Sequence, residues 1–397
     1  MVKLPDSFPA PEPVPFGKYE LLGRAGRGGM ADVYLARPLG QRRFVAIKCI
    51  KAKLADKQQF VDMFIQEGNL AVQLKHDAIV KTFEVGRIQG LYFICMEYIS
   101  GVDLSGILKA CASSNSRRLP VPHALFIAVR ILEGLHYAHE LTDKNGRSLN
   151  LVNRDVSPSN VRVAFDGEVK MLDFGIAKAA SGLSSEIGVL KGKISHMSPE
   201  QVRGLPLDRR SDIFSTAVVI HEMLTGEKLF RGDSEFQVMD LVRKAEVRAP
   251  SQANPRVTSD LDKIVLRGLQ KLPEHRYQTA EEMATDLRPI LANYNFNRSE
   301  LRDLVRDLCP DAWERDQQIS QLGKKSSPKL EAEAKKSKRT DEEDYGELFV
   351  DLSIEEELST MSGGASAKAN GQPWWIWLML IASGALLVLA TVLVLAL

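Results

Sequence analysis

Residues 150–160 read "NLVNRDVSPSN" and residues 171–178 read "MLDFGIAK". The first stretch sets a carboxylate, Asp155, five positions ahead of a carboxamide, Asn160; the second adds the carboxylate of Asp173. Asn and Asp side chains are hard oxygen ligands of the kind Mg²⁺ prefers. Asp-Phe-Gly alone is a weak signal, so its meaning depends on what stands upstream and downstream.

Upstream, "GRAGRGGMADVY" supplies Gly26, Gly28 and Val33 at the spacing of a GxGxxGxV loop, with Arg27 and Gly29 between them and Ala31 at the third glycine. Small residues let backbone N–H groups close over phosphates without Cβ clashes. A dinucleotide fold would follow such a loop with a helix and an acidic residue about 20 positions on. Here a strand follows instead, "FVAIKCI", carrying Ala46 and Lys48 in the order Val-Ala-Ile-Lys. Next come a helical stretch, "FVDMFIQEGNLAVQLKH", with Glu67 at its centre, and an apolar strand ending in Met96-Glu97-Tyr98-Ile99. Downstream stand Glu200 in "HMSPEQ", Asp212 in "SDIFS" and Arg276 in "KLPEHRYQ".

The bulk properties fit a folded chain without a nucleic-acid partner. The 397 residues are 44% hydrophobic and 26% charged, with a formal net charge of +1. That composition supports a sizeable core and gives no global basic charge. Cys49, Cys95, Cys111 and Cys309 form no CxxC pair, which argues against a zinc site or disulfide framework and fits a reducing compartment.

Along the chain, residues 1–18 are a Pro-rich tail without the apolar core of a signal peptide, expected to be extended and poorly ordered. Residues 19–295 read as one unit with strands first and helices later, an α+β pattern. Residues 296–373 carry a basic block, an acidic block and a small-residue spacer, the texture of a largely disordered linker; "RSELRDLVRDL" within it has the spacing of one more amphipathic helix. Residues 374–397 contain no charge and carry Trp374, Trp375 and Trp377 at one end. As a helix the run reaches roughly 35 Å, enough to cross a bilayer, with the rings at the headgroup boundary.

Taken together, the glycine loop, Val-Ala-Ile-Lys, Arg-Asp-x4-Asn, Asp-Phe-Gly and Ser-Pro-Glu, in this order, are jointly specific. Residues 19–295 resemble the eukaryotic-like (Hanks-type) serine/threonine protein kinases of bacteria; "GGMADVY", "RDVSPSN" and "MSPEQ" look most like the receptor-type kinases of myxobacteria. The resemblance implies a bilobal fold with a small β-rich lobe and a large helical lobe. It implies ATP and Mg²⁺ (with Mn²⁺ as a substitute) as cofactors and protein hydroxyls as substrates. In that pattern Lys48 binds the α/β-phosphates and pairs with Glu67, Met96 is the gatekeeper, and Glu97 and Ile99 offer backbone groups to adenine. Asp155 is the base, Asn160 and Asp173 hold metal, Glu200 and Arg276 form a buried ion pair, and Asp212 anchors the catalytic loop.

Three positions depart from the pattern. Asn153 replaces a histidine that packs under the Phe of Asp-Phe-Gly, here Phe174; it keeps a donor and an acceptor but loses the ring. Ser157 replaces a lysine that reaches the γ-phosphate. Lys193 stands where the family has threonine, next to that lysine's usual position, and is a candidate replacement for the charge. Arg154 beside Asp155 is expected to pair with a phosphorylated activation loop, with Lys178 as a second cation. Ser184, Ser185 and Ser195 are the candidate phosphosites, a Ser/Gly-rich unphosphorylated loop being the alternative.

The expectation is a single-pass inner-membrane kinase with its catalytic domain in the cytoplasm, where ATP is. With the apolar run ending at Leu397, no outer sensor domain is expected; the helix would anchor the kinase and favour a homodimer for trans-autophosphorylation. The alternative is a pseudokinase scaffold that binds partners without phosphotransfer, or one whose acidic linker peptide is the main output.

Overall fold

The computed structural model describes residues 4–10, 12–114, 116–174 and 194–324. The apolar run 374–397 and the segment holding Lys178, Ser184, Ser185 and Lys193 lie outside the described residues. Among the described residues no helix is long and apolar enough to cross a membrane.

The small lobe is a six-stranded antiparallel sheet. β1 (Val14–Phe16), β2 (Tyr19–Arg27), β3 (Ala31–Pro38) and β4 (Val45–Ile50) follow one another along the chain. A short helix, α1 (Ala52–Ala55), and a long one, α2 (Gln58–Gln73), lead to β5 (Thr82–Ile88) and β6 (Leu91–Glu97). The spatial order is β1-β2-β3-β4-β6-β5. Phe60, Val61, Phe64 and Leu70 of α2 are buried toward the sheet. Gly68 makes the approach close, since a Cβ there would stand 2.6 Å from Val85 Cγ2. That contact fixes the face on which the neighbouring Glu67 sits.

The expected disorder of the N-terminal tail holds only in part. Its lead-in is extended, but it is bonded along β2: Ala10 N–H donates to Leu22 O at 2.8 Å and Arg24 N–H to Ser7 O at 3.0 Å. Prolines favour the extended backbone that lets a segment lie along a sheet edge.

The large lobe begins with β7 (Gly101–Asp103), α3 (Leu104–Ser113) and α4 (Val121–His139), followed by β8 (Val161–Ala164) and β9 (Val169–Met171). It continues with α5 (Pro199–Arg203), α6 (Arg209–Thr225), α7 (Glu235–Lys244), α8 (Ser259–Gly268) and α9 (Ala280–Ala292). α6 is buried on all sides from Ser211 to Thr225 and forms the axis of the lobe. Its polar groups therefore need internal partners, and Asp212 has them at the site described below.

Ordered structure continues past Asn295. α10 (Arg298–Leu308) and α11 (Pro310–Lys324) occupy the start of the segment expected to be a disordered linker. α10 has the amphipathic spacing noted in the sequence, and its Leu301 and Val305 are fully buried. The reason is local: Asn297 and Glu300 form a reciprocal capping box, and one apolar stripe is enough to dock the helix.

Candidate active site

The cleft between the lobes is a cavity of about 590 Å³. Its upper wall is the β2–β3 hairpin, its rear β4 and β6, and its floor the β8–β9 hairpin. Strand register sets the side chains: Lys48 lies opposite Val33 on β3 and Ile94 on β6, and Ala46 opposite Met96. Ala46, Lys48, Met96, Glu97, Ile99 and Asp173 all line the cavity. So do Gly26, Arg27 and Val33, while Gly28 and Gly29 lie in the turn of the hairpin and Ala31 opens β3. Gly28 is required there: a Cβ would stand 2.7 Å from Ala31 O, whose bond to the Gly28 N–H closes the turn at 2.9 Å.

Lys48 Nζ donates to Glu67 Oε1 at 2.7 Å and to Asp173 Oδ1 at 3.0 Å. Burial opposes the lysine charge, but the carboxylates of Asp173 and Glu67 outweigh it and hold its pKa well above the ordinary value. One cation thus joins β4, α2 and the segment after β9.

The catalytic-loop stretch hangs from a single buried carboxylate. Asp212 accepts from Asn153 N–H at 2.7 Å and from Arg154 N–H at 2.8 Å, and His139 Nε2 lies 2.8 Å from it. This grip holds Arg154 in the left-handed region, at φ 63°. Asn153 is fully buried. Its Oδ1 accepts from the Asp155 N–H at 3.0 Å, and its Nδ2 donates to Asp173 O at 3.2 Å. The substituted amide thus makes the backbone bonds expected of its donor and acceptor; Phe174 is buried as well.

The β8–β9 hairpin brings Asn160 to Asp173. Val161 pairs with Met171, and the Leu172 N–H donates to Asn160 O at 2.9 Å. Asn160 Nδ2 is committed to Asp155 O at 2.8 Å, which leaves its Oδ1 as the group that can accept a cation.

A family comparison decides what this arrangement is. The description "Protein kinase domain" matches residues 19–287. The chain belongs to the protein kinase family. The kinase is 40% identical to Tyrosine-protein kinase MasK of Myxococcus xanthus over 284 residues, 70% of this chain and 44% of that one. It is 36% identical to Serine/threonine-protein kinase PknB of Mycobacterium tuberculosis over 277 residues, 68% of this chain and 42% of that one. The crystal structure of the Mycobacterium tuberculosis PknI kinase domain superposes with a TM-score of 0.52 at 25% identity, covering 70% of this kinase and 98% of that chain. The matched region spans about two-fifths of the length of these curated relatives.

Away from the cleft, Arg276 and Glu200 make a two-pronged ion pair at 2.7 and 2.9 Å, with Arg276 only 1% exposed. Ser211 Oγ also donates to Glu200, at 2.6 Å. Ser157 is buried, with its Oγ 3.0 Å from that of Ser159, so no side-chain cation stands at that position of the kinase. Ser195 is also buried, 3.2 Å from His196 Nδ1 in a tight turn, which removes it as an accessible phosphosite in this arrangement. Among the described residues, the buried Arg154 Nε has no hydrogen-bond partner.

The sequence reading missed two features of the cleft. Arg162 occupies its floor, with Nε donating to Ile99 O at 3.0 Å, so the second hinge carbonyl is already engaged. A charge inside the apolar run "NVRVAF" was the available signal. The other is the set of α11 residues at the cleft mouth, for which Trp313, Asp316 and Ile319 at three-residue spacing offered only a faint stripe.

Proposed function

We propose that this chain is a protein-serine/threonine kinase that transfers the γ-phosphoryl group of ATP to a protein hydroxyl. The observation that carries the reading is Lys48 bonded at once to Glu67 and Asp173 inside a nucleotide-sized cleft. In this reading Lys48 holds the α/β-phosphates and the glycine hairpin covers them. Asp155 accepts the proton of the attacking hydroxyl, and Arg154 receives a phosphate on the activation loop, for which its unpartnered Nε is suited. Catalysis rests on positioning and charge stabilisation.

The donor set fits Mg²⁺ shared with a phosphate. Among the described residues no cluster of three His, Cys, Asp or Glu side chains could hold a metal alone. Asp173 and the Oδ1 of Asn160 are the two protein oxygens suited to it, and Mg²⁺ commonly takes its remaining ligands from phosphates and water. When bound, the ion would neutralise charge on the transferring phosphoryl group.

Residues 374–397 anchor the kinase to the inner membrane, with residues 19–295 in the cytoplasm; the length and uncharged character of the run support this. Activation follows trans-autophosphorylation in a homodimer on Ser184 or Ser185. Relatives are named for tyrosine in one case and serine/threonine in others. Residues 174–199 contain serine but neither threonine nor tyrosine, which favours serine as the autophosphorylation acceptor.

The test is the full chain in detergent with Mg-ATP, beside Asp155→Asn, followed by phosphosite mapping and phosphoamino-acid analysis. The kinase reading expects phosphoserine in the wild type and a loss of roughly 10²–10⁴-fold in the variant. No phosphate above the variant would establish a pseudokinase scaffold instead.

A further inference from the structure

α10 and α11 form a strap from the large lobe to the small lobe across the hinge. Phe296 packs on His123 and Phe126 at centroid distances of 4.9 and 5.3 Å, which fixes the strap's start on α4. Arg306 donates to Phe165 O at 2.9 Å and lies 4.1 Å over the Trp313 ring, and Trp313 meets Phe165 edge-on at 5.0 Å. This seats the beginning of α11 beside the β8–β9 hairpin. Two turns later, Ile319 is buried in a cluster with Leu22 of β2 and Leu35 of β3, flanked by Phe8 and Tyr98.

Between these anchors sits Asp316, only 7% exposed. A buried carboxylate needs partners. Asp316 faces the hydroxyl of Tyr98 in the hinge, whose pKa is pushed up to about 12 by burial and then by that carboxylate. It also faces the guanidinium of Arg162 on the cleft floor; burial lowers the arginine's pKa, and Tyr98, Asp103 and Asp316 oppose the shift. The helix is thus keyed to the hinge by charge as well as by apolar contact.

Ala312, Arg315, Asp316 and Ile319 line the same cavity as Lys48 and Asp173. The cavity still measures about 590 Å³, within the usual range for small-molecule sites. α11 therefore bounds the space without filling it.

We propose that α11 is the outer wall of the nucleotide cleft and that its docking retains bound nucleotide by resisting separation of the lobes at the hinge. This rests on the reading that the cleft holds ATP. The segment after Lys324 is the charged linker leading to the apolar run.

The test uses the full chain in detergent with Ile319→Asp, which disrupts the small-lobe anchor, and Trp313→Ala, which acts at the opposite anchor. Dissociation of a fluorescent ADP analogue is followed by stopped flow during a chase with unlabelled ATP. Hydrogen exchange over residues 310–324 reports docking, and thermal melting reports the fold. Each variant is expected to speed dissociation about tenfold, the scale of one lost buried apolar contact, together with faster exchange over 310–324. Unchanged dissociation despite faster exchange would overturn the proposal. Slower dissociation or tighter binding would make α11 an inhibitory plug and overturn it equally. Absence of saturable nucleotide binding in the wild type would instead sink the underlying nucleotide reading.

Discussion

The side chain of Asn153 donates to the backbone carbonyl of Asp173 across 3.2 Å. Its other amide atom accepts from Asp155 N–H at 3.0 Å, so one buried carboxamide links the loop of the candidate base to the segment of the candidate metal ligand. The residue that looks like damage to the Arg-Asp motif is a connector. Asn153→Ala would remove both bonds to part-buried backbone groups, at about 1–3 kcal/mol each. The expected result is a melting temperature several degrees lower and turnover reduced by roughly tenfold, since about 1.4 kcal/mol of misplacement suffices for that factor. Steady-state kinetics checks it. Asn153→Ala with unchanged turnover would reduce the amide to a space-filler.

A second prediction concerns the ion pair of the large lobe. Arg276 bonds Glu200 through two nitrogens and also donates to the carbonyls of Gln270, Lys271 and Arg210. Arg276→Leu strands the Glu200 carboxylate inside the protein. Breaking a buried pair from one side costs about 3–5 kcal/mol. In a domain of this size that lowers the melting temperature by about 10 °C. Differential scanning calorimetry of the variant beside the wild type reads it directly.

The same carboxylate makes stability pH-dependent, together with three histidines. Burial lowers the pKa of His76, His123 and His221 below the ordinary 6.5. Burial opposes ionisation of Glu200, but its bonds from Arg276 prevail and lower its pKa below 4.5. In all four cases the unfolded chain binds protons that the folded chain refuses, so stability is present above the ordinary pKa and falls with pH below it. Between about pH 8 and pH 4 the melting temperature should be level down to about pH 7, fall below 6.5 as the histidines take effect, and fall further below 4.5 with Glu200. His123→Phe should flatten the first step. A melting temperature constant from pH 7 to 5 would contradict the histidine contribution.

Much of this site was legible because its chemistry is local in sequence. Lys48, Asp155, Asn160 and Asp173 each sit in a short motif whose order and spacing restrict the reading. Glu67 was legible by context alone, and Gly68 explains physically why that position faces the cleft. What could not be read was contact between distant segments. Nothing in "WERDQQISQL" says that Ile319 meets Leu22 and Leu35, nearly 300 positions away in sequence. Nor does an asparagine in place of histidine announce which two backbone groups it will bridge. The lead-in at Ser7 and Ala10 was misjudged for the same reason: its order comes from bonds to β2, not from its own composition.

The last prediction concerns the charge that Ser157 does not supply. Its hydroxyl lies 3.0 Å from that of Ser159, and a serine at this position does not supply the cation that the family pattern provides there. Lys193, where that pattern has threonine, is the candidate to deliver it. Losing one charge-stabilising donor in an active site typically costs about 10²–10³-fold in kcat. Lys193→Ala should therefore lower kcat by about 10²-fold with little change in the KM for ATP, the signature of an interaction made in the transition state. Adding Ser157→Lys to that variant should recover much of the loss, because a lysine stem can run along the buried position and carry its charge outward. Turnover that survives Lys193→Ala but is lost with Asp155→Asn would mean that the transferring phosphoryl group is neutralised without Lys193.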